Sequence, residues 1–236
     1  TMVERDEDAL SDGLARVEAA IGKALSIGKM AKTEANVARE ALRGVTDYAN
    51  LGDCDLIIEA VFEDMDVKKD VFAKLDAATK PNAILATNTS YLDVDEIAQA
   101  VNDPTRVIGL HFFSPAHVMK LLEVIVAAKA SAEALATGIS LGRRLKKIIA
   151  AAGVCDGFIG NRIMSAYRRE ADYMIEDGAL PHEVDEAMTN FGFPMGIFAM
   201  QDLAGLDIAW AMRKRRAADR PADERYVEIA DRLCEA

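Results

Sequence analysis

Apolar residues recur at helical spacing near the start of the chain, at Leu10, Leu14, Val17, Ile21 and Leu25, with charged residues between them. That stripe predicts an amphipathic helix, and Gly28 is a natural stop for it. The preceding Thr1-Met-Val-Glu4 reads as the last residues of a strand. A weaker helical pattern covers 33–42. From there the period alternates. Apolar runs at 45–48, 55–61, 83–87, 107–113, 121–126 and 147–152 read as strands, and helical patterns at 66–78, 93–101 and 131–146 separate most of them. Strands that alternate with helices predict a mostly parallel sheet covered on both faces.

The character changes at Gly153. Phe158, Ile163, Tyr167, Ala171, Met174 and Ile175 predict one long amphipathic helix, and further helical patterns fall at 182–190, 199–216 and 222–235. No strand pattern accompanies them. The expected organisation is an α/β domain over 1–153 and an all-helical domain over 154–236. The second part is short for an independent domain and needs another surface over its apolar faces.

Composition narrows the class. The 236 residues are 51% hydrophobic and 28% charged, the balance of a soluble globular protein. A net charge of −11 argues against nucleic acid or an anionic membrane as a main partner. The basic run Arg213-Lys-Arg-Arg216 reads as a solvated helix face rather than a binding patch. Cys54, Cys155 and Cys234 lack C-x-x-C spacing, which fits a reducing compartment such as the cytoplasm and implies neither a disulfide framework nor a zinc site. No apolar run approaches the roughly 18 residues of a membrane span, and no signal peptide is expected ahead of the first helix.

Candidate chemistry gathers where the strands end. His111 closes one apolar strand and Glu123 lies inside the next, both in places where a core would use Val or Leu. If the second strand returns antiparallel about His117, residues whose numbers sum to 234 stand opposite each other, and His111 meets Glu123. A His held by a carboxylate is a general acid–base pair; it could equally be a buried pair that fixes a connection. Glu63 follows the strand at 55–61, and Asn88-Thr-Ser90 follows the strand at 83–87. Open parallel sheets bind ligands outside the carboxyl ends of their strands, so three strands delivering polar groups there point to a site. Each alone would serve as a turn or cap. Lys68, one turn into the next helix, is either a ligand neighbour or a solvated lysine. Asn161 opens the long helix of the second part, with Asp156 as candidate N-cap and Gly157 and Gly160 permitting close approach.

Together, Leu110-His-Phe-Phe-Ser-Pro115, Lys120-Leu-Leu-Glu-Val124, Ala86-Thr-Asn-Thr-Ser90, Ile58-Glu-Ala-Val-Phe-Glu63 and Asp156-Gly-Phe-Ile-Gly-Asn-Arg162 resemble the L-3-hydroxyacyl-CoA dehydrogenases of fatty-acid β-oxidation. The resemblance covers essentially the whole chain. Arg168-Arg-Glu-Ala-Asp-Tyr173, Asp202-Leu-Ala-Gly-Leu-Asp207 and Arg220-Pro-Ala-Asp-Glu-Arg-Tyr226 are most similar to the dehydrogenase part of multifunctional β-oxidation enzymes, which follows an enoyl-CoA hydratase module.

The resemblance implies a Rossmann-type doubly wound sheet, an all-helical second domain, and oxidation of a 3-hydroxyacyl-CoA with hydride transfer to NAD. His111 would be the base on the 3-hydroxyl, and Glu123 would orient it. Ser90 and Asn161 would hydrogen-bond the substrate. Glu4, ending a strand of a dinucleotide fold, would meet the adenosine ribose. Val61, Glu63 and Lys68 would line the cofactor, with Ser90 and Ser114 near its nicotinamide. A homodimer through the helical domain, or association with a hydratase module, is implied as well.

The same comparison predicts an incomplete fold. The family's Gly-x-Gly-x-x-Gly turn, with its strand and helix, would precede Glu4, and Gly13, Gly22 and Gly28 do not form it. The family also continues past Cys234-Glu-Ala236. The expectation is a fragment of a longer enzyme, whose own activity is in question because that turn holds the pyrophosphate. The alternatives are a non-catalytic acyl-CoA-binding or oligomerisation module derived from this family, or a related enzyme acting on another β-hydroxyacid, whose relatives generally use a lysine base.

Overall fold

In the computed structural model, described for all residues except 207–209, 211–212, 215–216, 218–219 and 236, the chain divides into two compact units, Thr1–Ile159 and Gly160–Ala236. The first holds seven strands among its described residues. β1 (Met2–Val3) and β2 (Gly44–Val45) pair parallel as a separate two-stranded sheet. β3 (Leu56–Glu59), β4 (Ile84–Thr87), β5 (Val107–Phe112), β6 (Leu121–Val126) and β7 (Ile148–Gly153) form a five-stranded sheet in that order. All neighbours in it are parallel except β5 and β6.

Side chains alternate along each strand, so one strand feeds two cores. Leu85, Val107 and Ile125 join Val71, Phe72 and Leu75 of α3 (Met65–Ala78) and Val94 and Ile97 of α4 (Val94–Ala98). Their neighbours Ile84, Ala86, Ile108 and Val124 join Ala134 of α5 (Ala132–Arg144). Both faces are buried, as a parallel sheet requires. The helices begin where side chains replace missing backbone partners: Asp6 accepts Ala9 N–H before α1 (Glu7–Ser26), Asp64 accepts Val67 N–H before α3, and Ser131 accepts Ala134 N–H before α5. α1 ends beside Gly28, whose φ of +69° suits glycine, and α2 (Lys32–Ala41) follows.

The second unit holds α6 (Gly160–Glu176), α7 (Pro181–Phe191), α8 (Ile197–Ala204) and α9 (Ile229–Glu235). Ala171, Val184 and Ile197 form its small core with Met164, Tyr167 and Met188. Asp185 of α7 accepts the N–H groups of Phe198 and Ala199, both at 2.9 Å, and so fixes the start of α8.

Several elements differ from the sequence reading. The strand expected at 45–48 ends at Val45, because Asp47 accepts Ala49 N–H and starts a 3₁₀ turn at Tyr48–Leu51. Phe158 is not on the long helix. It lies in a turn at φ +49° and is buried in the core of the first unit, and α6 begins two residues later. The helix expected at 222–235 begins only at Ile229. Before it, Arg225 is drawn away by ion pairs with Glu176 and Asp177. Of the helix expected at 199–216, α8 covers the start and ends at Ala204, and most of the remainder lies outside the described residues. Arg213 is no solvated cation. Its guanidinium pairs with Asp231 at 2.7 Å and lies 4.5 Å from the Tyr226 ring centre. Arg215 and Arg216 lie outside the described residues. Among the described residues, no helix is long and apolar enough to cross a membrane.

Candidate active site

β5 and β6 are the one antiparallel pair in the five-stranded sheet, and their register sets His111 directly opposite Glu123. Cβ atoms so placed lie about 4.5–5.5 Å apart, within reach of a His–Glu bond. His111 Nδ1 stands 2.7 Å from Glu123 Oε2. Glu123 is fully buried and His111 is 3% exposed. A buried carboxylate is tolerated only when paired, and Glu123 Oε1 also accepts Ile159 N–H at 3.0 Å. The imidazole is braced by Phe113 and Phe158, with ring centres 4.5 and 5.6 Å away. An ionised Glu123 accepts the proton on Nδ1. That fixes the tautomer and leaves the lone pair on Nε2, the arrangement of a general base.

The strands approach closely here because Gly109 carries no side chain. A Cβ at Gly109 would stand 2.6 Å from Ile125 Cβ. The connection from Phe113 to Lys120 contains a cis Ser114–Pro115 bond. It is tied down by Lys147, whose ammonium donates to the carbonyls of Ala116 and Met119. Ser114 is exposed in this connection, on the carboxyl side of β5.

The same sheet edge collects Asn88, Thr89 and Ser90 after β4. Thr87 pairs with Gly109, so Ser90 and His111 both leave the carboxyl ends of neighbouring strands. Asn88 Oδ1 accepts Phe112 N–H at 2.8 Å and joins the two strand ends. Glu63 Oε1 accepts from Thr89 Oγ1 at 2.6 Å, Ser90 N–H at 2.8 Å and Tyr91 N–H at 3.1 Å. Val61 is exposed at the end of β3, beside the more exposed Phe62. Lys68 is 1% exposed, so the alternative of a solvated lysine is wrong. Its ammonium is bound by Glu59 at 2.7 Å, a buried carboxylate that the sequence reading passed over.

Glu4 is set apart from that edge. It follows β1, donates its N–H to Val45 O, and borders a cavity of about 310 Å³ with Arg5, Asp6, Asp8, Asp12 and Arg16. Asn161 belongs to the second unit, in the first turn of α6.

Residues 1–154 match the family model described as 3-hydroxyacyl-CoA dehydrogenase, NAD binding domain. Residues 157–236 match the model described as 3-hydroxyacyl-CoA dehydrogenase, C-terminal domain. A peroxisomal bifunctional enzyme of Homo sapiens is 48% identical over 204 residues, covering 82% of this chain and 28% of the relative. The chain thus spans less than a third of the length of the curated relatives it matches. Among solved structures, FadB2 of M. tuberculosis superposes with a TM-score of 0.90 at 33% identity, over 99% of this chain and 84% of that one. The (S)-3-hydroxybutyryl-CoA dehydrogenase PaaH1 of Ralstonia eutropha gives 0.91 at 28% identity, over 99% and 84%.

Proposed function

The chain belongs to the 3-hydroxyacyl-CoA dehydrogenase family, and we propose that it is the dehydrogenase part of a multifunctional β-oxidation enzyme that oxidises L-(S)-3-hydroxyacyl-CoA to 3-ketoacyl-CoA. The observation that carries this reading is the buried His111–Glu123 pair, with Nδ1 2.7 Å from Glu123 Oε2.

His111 Nε2 takes the proton of the substrate 3-hydroxyl. Glu123 holds the Nδ1 proton and balances the charge of the resulting imidazolium. The Ser90 hydroxyl hydrogen-bonds a substrate oxygen and holds C3 in line. Bound NAD would supply the acceptor for the hydride that leaves C3. The donor set suits that cofactor. Glu4, Asp6, Asp8 and Asp12 outnumber Arg5 and Arg16 around the cavity, and an acidic rim accepts ribose hydroxyls and disfavours a 2′-phosphate. Val61, Glu63 and Lys68 line the cofactor in this reading, with Ser114 close to its nicotinamide end.

The acyl-CoA substrate and a copy of this chain or a hydratase module are the partners proposed. Among the described residues Cys54, Cys155 and Cys234 form no disulfide, which fits a reducing compartment, the cytoplasm or an organelle such as the peroxisome named for the relatives. A second reading, an acyl-CoA-binding module without redox activity, draws on one observation: among the described residues β1 and β2 pair only with each other.

One assay separates the two. In the proposed multifunctional enzyme this part should reduce acetoacetyl-CoA with NADH, and His111→Gln should cut turnover at least about a hundredfold. A full-rate variant would remove His111 from the mechanism, and a parent without turnover would favour the binding module.

A further inference from the structure

Glu59 ends β3 with a carboxylate almost wholly out of water, at 4% exposure. Such a group persists only when its oxygens are fully engaged. Oε1 accepts Val61 N–H at 2.6 Å and the Lys68 ammonium at 2.7 Å, and Oε2 accepts the Thr87 hydroxyl at 2.7 Å. Glu59 therefore joins the ends of β3 and β4 to the first turn of α3.

The same ammonium stands 3.5 Å from Glu63 Oε2. The other oxygen of Glu63 holds Thr89 Oγ1 and the N–H groups of Ser90 and Tyr91. A continuous line of charge-assisted contacts thus runs from Glu59 through Lys68 and Glu63 to the backbone of Ser90. The outer links, Glu59 to Lys68 at 2.7 Å and Glu63 to Ser90 N–H at 2.8 Å, are short charge-assisted hydrogen bonds, and the 3.5 Å Lys68–Glu63 ion pair couples them by charge. One ammonium is shared by two carboxylates. Removing the charge of Glu59 leaves Lys68 with Glu63 and the Val61 carbonyl, to which it also donates at 3.4 Å, and changes where both side chains lie.

We infer that Glu59 is a positioning residue: through Lys68 and Glu63 it sets the backbone of Ser90, and hence where the Ser90 hydroxyl stands against the substrate. The inference rests on the proposed role of Ser90 as a substrate contact.

The test compares Glu59→Gln with Glu59→Gln/Lys68→Met in the proposed multifunctional enzyme. The double variant removes the buried charge on both sides and serves if the single one does not fold. Three quantities are read: the amide proton shifts of Ser90 and Tyr91 by NMR, kcat and KM with acetoacetyl-CoA, and the melting temperature. Misplacing a positioned group by about 1 Å costs on the order of a hundredfold. We expect kcat/KM to fall at least about tenfold in each folded variant, with both amide signals displaced. The double variant should regain the parent melting temperature without regaining the amide positions of Ser90 and Tyr91.

Recovery of the parent amide positions along with stability in the double variant would overturn the inference, since Glu59 would then only neutralise Lys68. Unmoved amides in Glu59→Gln would overturn it as well. Ser90→Ala, measured alongside, separates the two layers. Full activity there would remove the proposed role of Ser90, while the amide shifts would still report whether Glu59 sets that backbone.

Discussion

Replacing Glu123 with Gln should silence the site by turning the imidazole into the wrong tautomer rather than by disturbing its place. The carboxylate accepts from His111 Nδ1 at 2.7 Å and from Ile159 N–H at 3.0 Å. An amide fits the same space in two ways. With its oxygen towards His111, the NH₂ group faces Ile159 N–H, and a buried donor loses its acceptor. With its NH₂ towards His111, the oxygen takes Ile159 N–H and the amide donates to Nδ1, so both bonds are made. The second placement is favoured by the cost of one unsatisfied buried donor, about 1–3 kcal/mol, or roughly 5–150-fold in population. It forces the imidazole proton onto Nε2, the atom proposed to act as base.

Loss of the charged partner of the imidazolium weakens that bond from the charge-assisted class to the neutral one, roughly a further tenfold. The expected fall in kcat/KM for acetoacetyl-CoA reduction by NADH is about 10²–10³-fold, with the melting temperature close to that of the parent, since the volume is conserved. Long-range ¹H–¹⁵N correlation at His111 reads the tautomer directly. A loss under tenfold, or a spectrum dominated by the Nδ1–H form, would refute the reasoning.

Gly109→Ala places a methyl 2.6 Å from Ile125 Cβ and must spread β5 from β6. We expect a loss of about 1–3 kcal/mol in urea titrations, together with reduced turnover, because the spread begins two residues from His111. A variant with parent stability would contradict the close approach. Asp76 gives the acid limb. Burial pushes its carboxyl up, but the hydrogen bond from Arg106 and those from Asn102 outweigh it and hold the group below its ordinary value of 3.8. Its contribution is full above about pH 3.8 and is lost as pH falls through the lower folded value. Asp76→Asn should therefore lower stability at neutral pH and flatten the decline below that point, and an unchanged acid slope in urea melts would refute the assignment.

How far these groups could be read in the sequence depends on how local their causes are. The pairing of His111 with Glu123 follows from a short return between two apolar strands, where one fixed point sets every partner. Phe158 shows the opposite case. Helical spacing counts apolar residues without regard to which core they enter, and a turn with Gly157 at φ +72° and Phe158 at φ +49° sends that ring into the first unit. Glu59 was hidden for a related reason. It ends the run Leu56-Ile-Ile-Glu59 like any polar residue leaving a strand. Its partners Lys68 and Thr87 arrive from a helix and from another strand, 9 and 28 residues away. A useful sign was available: a carboxylate before an Ala-Val-Phe run, with a lysine one turn into the next helix.

The reversal of direction between β5 and β6 explains why the proposed acid–base pair is precise while its surroundings are adjustable. A side chain in a sheet changes face with a slip of one residue, so His111 and Glu123 either meet or lie on opposite faces. That pairing is locked by backbone register and by burial on both faces of the sheet. Ser90 has no such lock, since it lies beyond β4, in a loop whose position depends on Asn88 and on the carboxylate of Glu63. Mutations in β5 or β6 should therefore abolish chemistry. Mutations in the Glu59, Lys68 and Glu63 line should leave the base intact and alter how well substrate is held against it.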